Sequence, residues 1–321
     1  MKFKFPRQFL KPSTNEFLQT AQYLDGFSFF DFLHGYVYTR WPYLYIGIGT
    51  GEHPIAKILT PLVNIFANLF HRFLIDKKEK SGNEKELSPQ KISFADTYHG
   101  KVLPQESAKK LVMVNEDINL PNLERIIPYK LAKDIILHNP DHIVVLDCPC
   151  RCSRENPCLP LDVCLIIGEP FASMVNEQHP TRSRWITQDE AQQIIQEEDQ
   201  RGHVHHAFFK DAMLGRFYAI CNCCSCCCGA IQAHRNGTPM LASSGYVCSI
   251  EEALCIGCGT CVDYCQFAAL SLDGFTAHVD TKACMGCGVC MDKCDQGALA
   301  LIKALARGEP LEIFELMDGV Q

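Results

Sequence analysis

The first 147 residues of this 321-residue chain contain no cysteine, although the whole chain contains twenty. Basic residues are not in excess either. The formal net charge is −7, which argues against nucleic acid as a partner because phosphates would not be neutralised. The chain has no phosphate-binding loop, no dinucleotide-binding fingerprint after a strand and no nucleophile elbow. The chain therefore lacks the common sequence signatures of nucleotide-binding proteins and of serine hydrolases.

The start of the chain, Met1-Lys2-Phe3-Lys4-Phe5-Pro6, is followed by neither an apolar run nor a small-residue cleavage site. We therefore expect no secretory signal peptide and a cytoplasmic location, with peripheral membrane association as the alternative. Hydrophobic residues make up 47% and charged residues 21%, as in a globular protein. A chain of this length can form two or three compact units.

The cysteines occur at 148–164, 221–228 and 248–294. Secreted disulfide scaffolds and metal proteins of reducing compartments both concentrate cysteine. Adjacent cysteines, such as Cys223-Cys224 and Cys226-Cys227-Cys228, fit separate disulfides poorly because disulfide geometry requires spaced partners. The sequence therefore predicts that the thiols are metal ligands.

Residues 1–76 are apolar and aromatic, with nine aromatic side chains between Phe27 and Tyr45. The segment Ile55–Ile75 has polar residues every three or four positions, which predicts an amphipathic helix interrupted by Pro61. This helix could pack on the protein or a partner, lie at a membrane surface, or span a membrane. We expect a docking region, with 27–75 as the membrane contact if there is one. A polar, charged linker is predicted for 77–90.

Residues 91–244 have the pattern of a mixed α/β domain. Pro128 predicts the start of a helix through about His138. Strands are predicted at Ile143–Leu146, Val163–Ile167 and Phe217–Ile220, with cysteines at or beside their ends. Thr187 and Glu190 form a predicted capping box for a helix through about Gln200, which Gly202 would stop. With the cluster domain described next, this gives an α+β fold class, followed by a C-terminal tail at 304–321.

Two runs of the form C-x2-C-x2-C-x3-C lie near the C-terminus. Cys255, Cys258, Cys261 and Cys265 form the first, and Cys284, Cys287, Cys290 and Cys294 repeat it 29 residues later. Flanking residues repeat as well, which predicts two half-domains related by a pseudo-twofold axis. The small residues Gly257, Gly259, Gly286 and Gly288 would let the backbone approach a cluster closely and adopt unusual dihedrals.

In such runs the fourth thiolate lies too far along the chain to close on its own loop and ligates the other cluster. The predicted ligands of cluster I are Cys255, Cys258, Cys261 and Cys294. Those of cluster II are Cys284, Cys287, Cys290 and Cys265. Zinc is the alternative, but zinc sites use two C-x2-C pairs separated by a longer loop.

From about Gly245 to Lys303 the chain resembles the bacterial two-cluster ferredoxins. The resemblance implies a ferredoxin-like domain at 245–303 with two [4Fe–4S] clusters that carry single electrons. That family usually has proline after the fourth cysteine, whereas Gln266 and Asp295 stand here. A buried charge at Asp295 would oppose reduction, so we expect one cluster of low potential.

Twelve cysteines remain outside these runs. The candidates for one or two further iron–sulfur clusters are Cys148, Cys150, Cys152, Cys158, Cys164, Cys221, Cys223, Cys224, Cys226, Cys227 and Cys228; the twelfth is Cys248. Zinc ligation and free redox-sensing thiols are the alternatives. In an extended segment Cys221 and Cys223 would share one face, and so would Cys224 and Cys226.

The sequences around Cys148-Pro149-Cys150-Arg151-Cys152 and Ile220–Cys224 resemble proteins of anaerobes that carry a C-terminal ferredoxin domain. Cys227-Cys228-Gly229 resembles the paired-cysteine motif of heterodisulfide reductases, whose noncubane clusters act on disulfides. The spaced partner cysteines of that motif are not reproduced here.

Histidines and arginines lie between the two cysteine groups. His203 and His205 would share a face of a half-exposed strand near His206, and could ligate a metal or donate protons. Four arginines could bind an anion, balance cluster charge or simply lie on the surface: Arg151, Arg154, Arg182 and Arg184.

The leading prediction is an electron-transfer protein that passes single electrons between a redox partner and a further metal centre in the middle domain. The first alternative is a reductase whose site-differentiated cluster, among the cysteines at 148–228, acts on a small substrate or disulfide. The second is a carrier of iron–sulfur clusters.

Overall fold

The computed structural model describes residues 10–24, 27–56 and 93–319. Three helices come first: α1 (Pro12–Gln22), α2 (Phe29–Arg40) and α3 (Pro42–Gly49). Ser28 begins α2 with a capping box, because its hydroxyl accepts from Asp31 N–H while the Asp31 carboxylate accepts from Ser28 N–H. The inward face of α2 packs on the rest of the protein through Phe32, Gly35 and Tyr38.

An eight-stranded sheet forms the centre of the middle domain. Its order is β2-β3-β4-β7-β6-β1-β8, and β5 pairs with the outer edge of β3 beside β2. All neighbours are antiparallel except β1 and β8, which are parallel. The strands are β1 (Tyr98–Leu103), β2 (Ile118–Leu120), β3 (Ile135–Asp147), β4 (Asp162–Glu169), β5 (Ser183–Ile186), β6 (Val204–Lys210), β7 (Arg216–Cys223) and β8 (Leu241–Ala242).

Helices cover both faces of this sheet. The middle-domain helices are α4 (Phe94–Thr97), α5 (Gln105–Val112), α6 (Pro149–Cys152), α7 (Phe171–Gln178), α8 (Gln188–Gln200) and α9 (Gly229–Arg235). On one face α5 and α8 bury an aliphatic core that includes Leu111 and Ile195. On the other face α1, α2, α7 and the C-terminal domain share a second core, which contains most of the cysteines.

The C-terminal domain is a small duplicated unit. In chain order it comprises β9 (Tyr246–Ile250), α10 (Thr260–Asp263), β10 (Leu270–Asp273), β11 (Thr276–Val279), α11 (Val289–Asp292) and β12 (Leu299–Lys303). Two antiparallel strand pairs, β10 with β11 and β9 with β12, flank the two cysteine loops. A short 3-10 turn (Leu305–Arg307) and α12 (Ile313–Asp318) follow.

Three strand predictions are confirmed, since Ile143–Leu146, Val163–Ile167 and Phe217–Ile220 lie within β3, β4 and β7. The helix after Thr187 is also confirmed: the Thr187 hydroxyl accepts from Glu190 N–H at 3.2 Å, and α8 ends at Gln200. The Thr187 hydroxyl thus caps this helix as predicted, while the Glu190 carboxylate pairs with Arg184.

The predicted helix from Pro128 to His138 is wrong. Residues 135–138 instead belong to β3, where Ile135 and Leu137 are completely buried and pair with β2. Asn139 has φ +47°, and the register between β3 and β4 shifts after His138, so the strand accommodates Asn139-Pro140 as an irregularity. Pairing on both edges therefore outweighs the local helix signal.

The linker prediction at 77–90 and nearly all of the predicted helix at 55–75 lie outside the described residues. Within the described ranges, no helix combines the length and the apolar character needed to cross a bilayer.

Candidate metal centres

Each half of the C-terminal domain surrounds a cavity of about 20 Å³ that is lined by four of the predicted cluster ligands. One cavity is lined by all four predicted cluster I cysteines: Cys255, Cys258, Cys261 and Cys294. The other is lined by all four predicted cluster II cysteines: Cys265, Cys284, Cys287 and Cys290. The fourth cysteine of each run thus lies with the three cysteines of the other run.

Glycines allow the backbone to fold closely round both cavities. Gly257 and Gly286 both have φ +66°, a left-handed conformation that disfavours any side chain. A Cβ on Gly257 would lie 2.4 Å from the Phe275 carbonyl oxygen, and one on Gly286 would lie 2.2 Å from that of Tyr246. Tyr246 and Phe275 are themselves 29 residues apart, so the repeat extends to these close contacts. The predicted unusual dihedrals are confirmed.

Backbone N–H groups also point at the cysteine sulfurs, in pairs that follow the 29-residue repeat. Ala269 donates to Cys265 at 3.2 Å and Ala298 to Cys294 at 3.4 Å; Ala277 donates to Cys255 at 3.5 Å and Cys248 to Cys284 at 3.4 Å. Such donors stabilise thiolates and set cluster potentials. The donor sets therefore fit two [4Fe–4S] clusters.

The two halves differ at one buried thiol. Cys248 lines the cluster II cavity, 3.6 Å from Cys290 Sγ, whereas the equivalent position beside cluster I is Ala277. The hydrogen bond with Cys248, together with burial, raises the pKa of the Cys290 thiol. The sequence contains this asymmetry, but only the fold shows that Cys248 lines the same cavity as the predicted cluster II ligands.

The premise of a buried charge at Asp295 is wrong, because this residue is exposed. Gln266, at the equivalent position of the other half, is instead partly buried and joins the two domains. Its side-chain oxygen accepts from Ser225 N–H at 2.8 Å, and its amide donates to the Gly202 carbonyl at 2.9 Å. Gln266 directly follows Cys265, and Ser225 lies between Cys224 and Cys226.

Six middle-domain thiols form a closed ring, which we call the thiol ring. Each thiol interacts with two others, in the order Cys148, Cys164, Cys221, Cys223, Cys228 and Cys150. Cys164 and Cys221 face each other across β4 and β7 with their sulfurs 3.6 Å apart. Cys164 lies within β4, inside the predicted strand 163–167, whereas Cys221 lies within β7 rather than directly after a strand as expected.

Crowding and burial make the thiol ring a poor place for thiolates without a cation. The pKa of Cys164 lies well above its ordinary value because its thiol shares a hydrogen bond with Cys148, and burial raises it further. The same causes, with Cys164 as partner, raise the pKa of Cys221. Several thiolates can coexist here only with a cation between them, so the donor set fits a metal or cluster.

A cavity of about 170 Å³ adjoins the thiol ring. Helices α2 and α3 line its other side through Tyr38, Tyr45 and Ile46, and Tyr218 contributes from β7. The hydroxyls of Tyr38 and Tyr218 are 2.7 Å apart. Lys210 Nζ lies 5.0 Å from the centre of the Tyr38 ring, and burial lowers the pKa of this lysine to about 8.

Arg151, between two ring cysteines, is buried rather than on the surface. Its guanidinium pairs with Glu198 and donates to the Pro160 carbonyl and to the Asn222 carbonyl, the latter at 3.2 Å. Burial alone would raise the pKa of Glu198, but the hydrogen bond with His203 and the Arg151 charge lower it. Sequence reasoning missed Glu198, which has no motif of its own.

The expected half-exposed histidine strand is wrong, because His203, His205 and His206 are all buried. Strand β6 begins at Val204, so His203 lies before it and bonds Glu198 at 2.6 Å. His205 bonds the Asn222 side chain at 2.6 Å. Burial lowers the pKa of His206 to about 3, so its ring is neutral.

Four other thiols form a separate, tighter group, which we call the thiol quartet: Cys158, Cys224, Cys226 and Cys227. Their sulfurs all lie within 4.8 Å of one another. Cys152 belongs to neither group and is half-buried at the end of α6. All twenty cysteines lie in the described residues and none forms a disulfide.

The remaining candidate arginines lie apart from the thiol ring's centre. Arg154 donates to the Cys227 carbonyl at 3.1 Å and pairs with Glu52. Arg182 lies over the Tyr43 ring, 4.4 Å from its centre, and Arg184 is half-exposed beside Asp162.

Comparison with known proteins identifies the chemistry of the C-terminal domain. Residues 254–298 match the family model of the 4Fe-4S dicluster domain. No curated protein matches the chain. The match covers the two repeated cysteine runs and not the middle domain. Residues 254–298 thus form a dicluster domain, and the chain is an iron–sulfur protein with an electron-transfer role.

Proposed function

We propose that this chain passes single electrons between an external redox partner and a metal centre held by the thiol ring, through its two [4Fe–4S] clusters. Cluster I would be held by Cys255, Cys258, Cys261 and Cys294. Cluster II would be held by Cys265, Cys284, Cys287 and Cys290. The clusters supply one-electron chemistry, while the cysteines, N–H donors and nearby charges set the potentials.

The observation that carries this proposal is the Gln266 link. Cys265, a cluster II ligand, is followed by Gln266, whose side chain accepts a hydrogen bond from Ser225 N–H. Ser225 lies in the loop between Cys223 and Cys228, both members of the thiol ring. A short path of covalent bonds and one hydrogen bond therefore joins the cluster II site to the thiol ring. An isolated ferredoxin would not need a hydrogen bond to a second cysteine-rich domain.

The electrostatics of the middle domain support a charged centre there. Arg151 is 1% exposed and lies between Cys148 and Cys150 in sequence. The nearby thiols favour its charged form, although the Glu198 carboxylate has the larger effect in that direction. A fixed guanidinium would offset part of the negative charge that thiolates and a cluster bring into this core.

Iron, acid-labile sulfide and redox EPR on anaerobically purified protein test the proposal. About eight irons per chain with equal sulfide would mean that only the dicluster domain holds clusters, and would reject the electron acceptor in the thiol ring. About twelve would support it, by the ligand count for cubane clusters. Replacing Cys164 and Cys221 with alanine should then remove the additional EPR signal and leave the two dicluster signals.

The large cavity favours a second candidate function, reduction of a small substrate at the thiol ring. Its volume of about 170 Å³ adjoins the ring thiols, and its walls are mainly aromatic and aliphatic. A cluster with an open iron position there would change its EPR signal on addition of a small thiol. An unchanged signal would reject this function.

The described N-terminal helices support docking of a redox protein. Phe30, Trp41, Leu44 and Ile48 are exposed by 40% or more on α2, α3 and the turn between them. We propose that this aromatic surface contacts the electron-donating partner rather than lipid. Flotation with anionic vesicles distinguishes a protein partner from lipid. If the protein binds the vesicles, and Phe30→Ser and Trp41→Ser each abolish that binding, the surface contacts a membrane instead.

A further inference from the structure

We infer that the thiol quartet binds a single tetrahedral metal ion and is distinct from every cluster site of this chain. Zinc is the ion that four thiolates in a closed site favour, and mononuclear iron shares the same chemistry. The site would fix the loop 224–227 between the thiol ring and the dicluster domain. It therefore assigns four of the twelve remaining cysteines to a structural role.

Distances between the sulfurs carry this inference. The Cys226 sulfur lies 3.1 Å from those of Cys158 and Cys224 and 3.8 Å from that of Cys227. The sulfurs of Cys158 and Cys224 are 3.6 Å apart. Four sulfurs bonded to one ion at ~2.3 Å form a tetrahedron whose edges are ~3.8 Å. Four of the six edges of the quartet measure 3.1–3.8 Å, and the other two are no longer than 4.8 Å.

The dicluster domain provides an internal comparison. Its cysteines are arranged in fours around cavities of about 20 Å³. Among the described residues, no three of those eight cysteines lie within 4.8 Å of one another, whereas all four quartet sulfurs do. A cubane needs the wider arrangement because its four ligands bind four different irons. The quartet has the arrangement that suits one ion.

The surroundings of the quartet hold its loop in place from three sides. Gln232 donates to the carbonyls of Ser225 and Cys226, at 3.3 and 2.9 Å. Arg154 donates to the Cys227 carbonyl, and Gln266 accepts from Ser225 N–H. Such prior fixing lowers the entropy lost when a metal binds.

The quartet also explains why the chain contains adjacent cysteines. Cys223 and Cys228 point to the thiol ring, whereas Cys224, Cys226 and Cys227 point to the quartet together with Cys158. The run 223–228 thus serves two centres on its two sides. One ion at the quartet would hold the segment that positions two ring cysteines. On binding, each thiol releases its proton, and a divalent ion with four thiolates carries a charge of −2.

Metal analysis of full-length, anaerobically purified protein tests this inference. We expect about one zinc, or one iron without matching sulfide, per chain beyond the clusters. X-ray absorption at that metal should show four sulfurs at ~2.3 Å and no neighbouring metal. Close iron neighbours, or no metal beyond the sulfide-matched iron, would overturn the inference. This measurement needs no variant, so it decides the question even if a variant fails to fold.

Two ligand variants and a matched control extend the test. Cys158→Ala and Cys226→Ala should each remove about one ion per chain while sulfide and the dicluster EPR signals stay unchanged. Cys152→Ala, a half-buried cysteine of the same region outside the quartet, should retain the ion. Loss of sulfide together with the metal would show that the quartet holds a cluster. Because the dicluster signals report on the proposed electron transfer separately, the two proposals can fail independently.

Discussion

Gln266→Ala removes the link between the dicluster domain and the middle domain without altering a metal ligand. The native side chain accepts from Ser225 N–H at 2.8 Å and donates to the Gly202 carbonyl at 2.9 Å. Alanine can make neither bond. Asp295→Ala is the matched control, because Asp295 occupies the equivalent position in the other half and is exposed.

The magnitude follows from the two lost hydrogen bonds. Each neutral hydrogen bond contributes about 0.5–1.5 kcal/mol, so docking of the two domains should weaken by about 1–3 kcal/mol. This corresponds to about a 5- to 150-fold shift in the docking equilibrium. The other contacts at this surface, such as the bond from Lys293 Nζ to the Gln200 carbonyl at 2.6 Å, remain in the variant.

Hydrogen exchange at Ser225 and freeze-quench EPR measure the effect. In Gln266→Ala the Ser225 amide should exchange faster by about the same factor, and electrons should reach the middle centre more slowly. Asp295→Ala should change neither observable. Equal exchange rates at Ser225 in the wild type and Gln266→Ala would show that the hydrogen bond does not form in solution, and would refute the proposed path.

Three further predictions concern buried groups. Cys248→Ala should lower the potential of cluster II and leave cluster I unchanged in an EPR titration, because the variant loses a thiol that can donate to a cluster ligand. Arg151→Met leaves the Glu198 carboxylate buried and should cost about 3–5 kcal/mol in urea unfolding; half-exposed Arg184→Met should cost below about 1 kcal/mol. Lys210→Met should raise the unfolding free energy at pH 7 by up to about 3 kcal/mol, since burial lowers the folded-state pKa of Lys210 from 10.5 to about 8. That gain should shrink between pH 8 and pH 10.5, where folded Lys210 has lost its proton but unfolded Lys210 still binds one, so that wild-type stability rises with pH; a gain that grows with pH would contradict it.

Local signals explain which parts of the fold could be predicted from the sequence. The aliphatic runs at 143–146, 163–167 and 217–220 are too apolar for any place except a buried strand, and the Thr187 cap acts within one turn. The helix prediction at 128–138 is wrong because the spacing of the apolar residues in this segment suits a strand as well as a helix. Only pairing with β2 and β4 decides between the two.

Among the candidate sites, too, those built from one short segment could be predicted from the sequence, and those that combine distant segments could not. The two repeated cysteine runs predict which four cysteines line each cavity, because both the spacing of the cysteines and their duplication can be read within one short segment. The thiol ring and the quartet combine cysteines more than 60 residues apart, and spacing cannot show which sulfurs meet. Gln266 was visible only as a departure from the ferredoxin pattern. Its partner Ser225 could be found only from the fold.

The position of α2 and α3 has a consequence for biogenesis. Because Tyr38, Tyr45 and Ile46 line the cavity opposite the ring cysteines, these helices close the compartment from the N-terminal side. An inorganic cofactor that enters from this side must therefore do so before the helices pack, or while they are detached. Although the N-terminal residues are synthesised first, this route would make the packing of α2 and α3 a step that follows cofactor insertion.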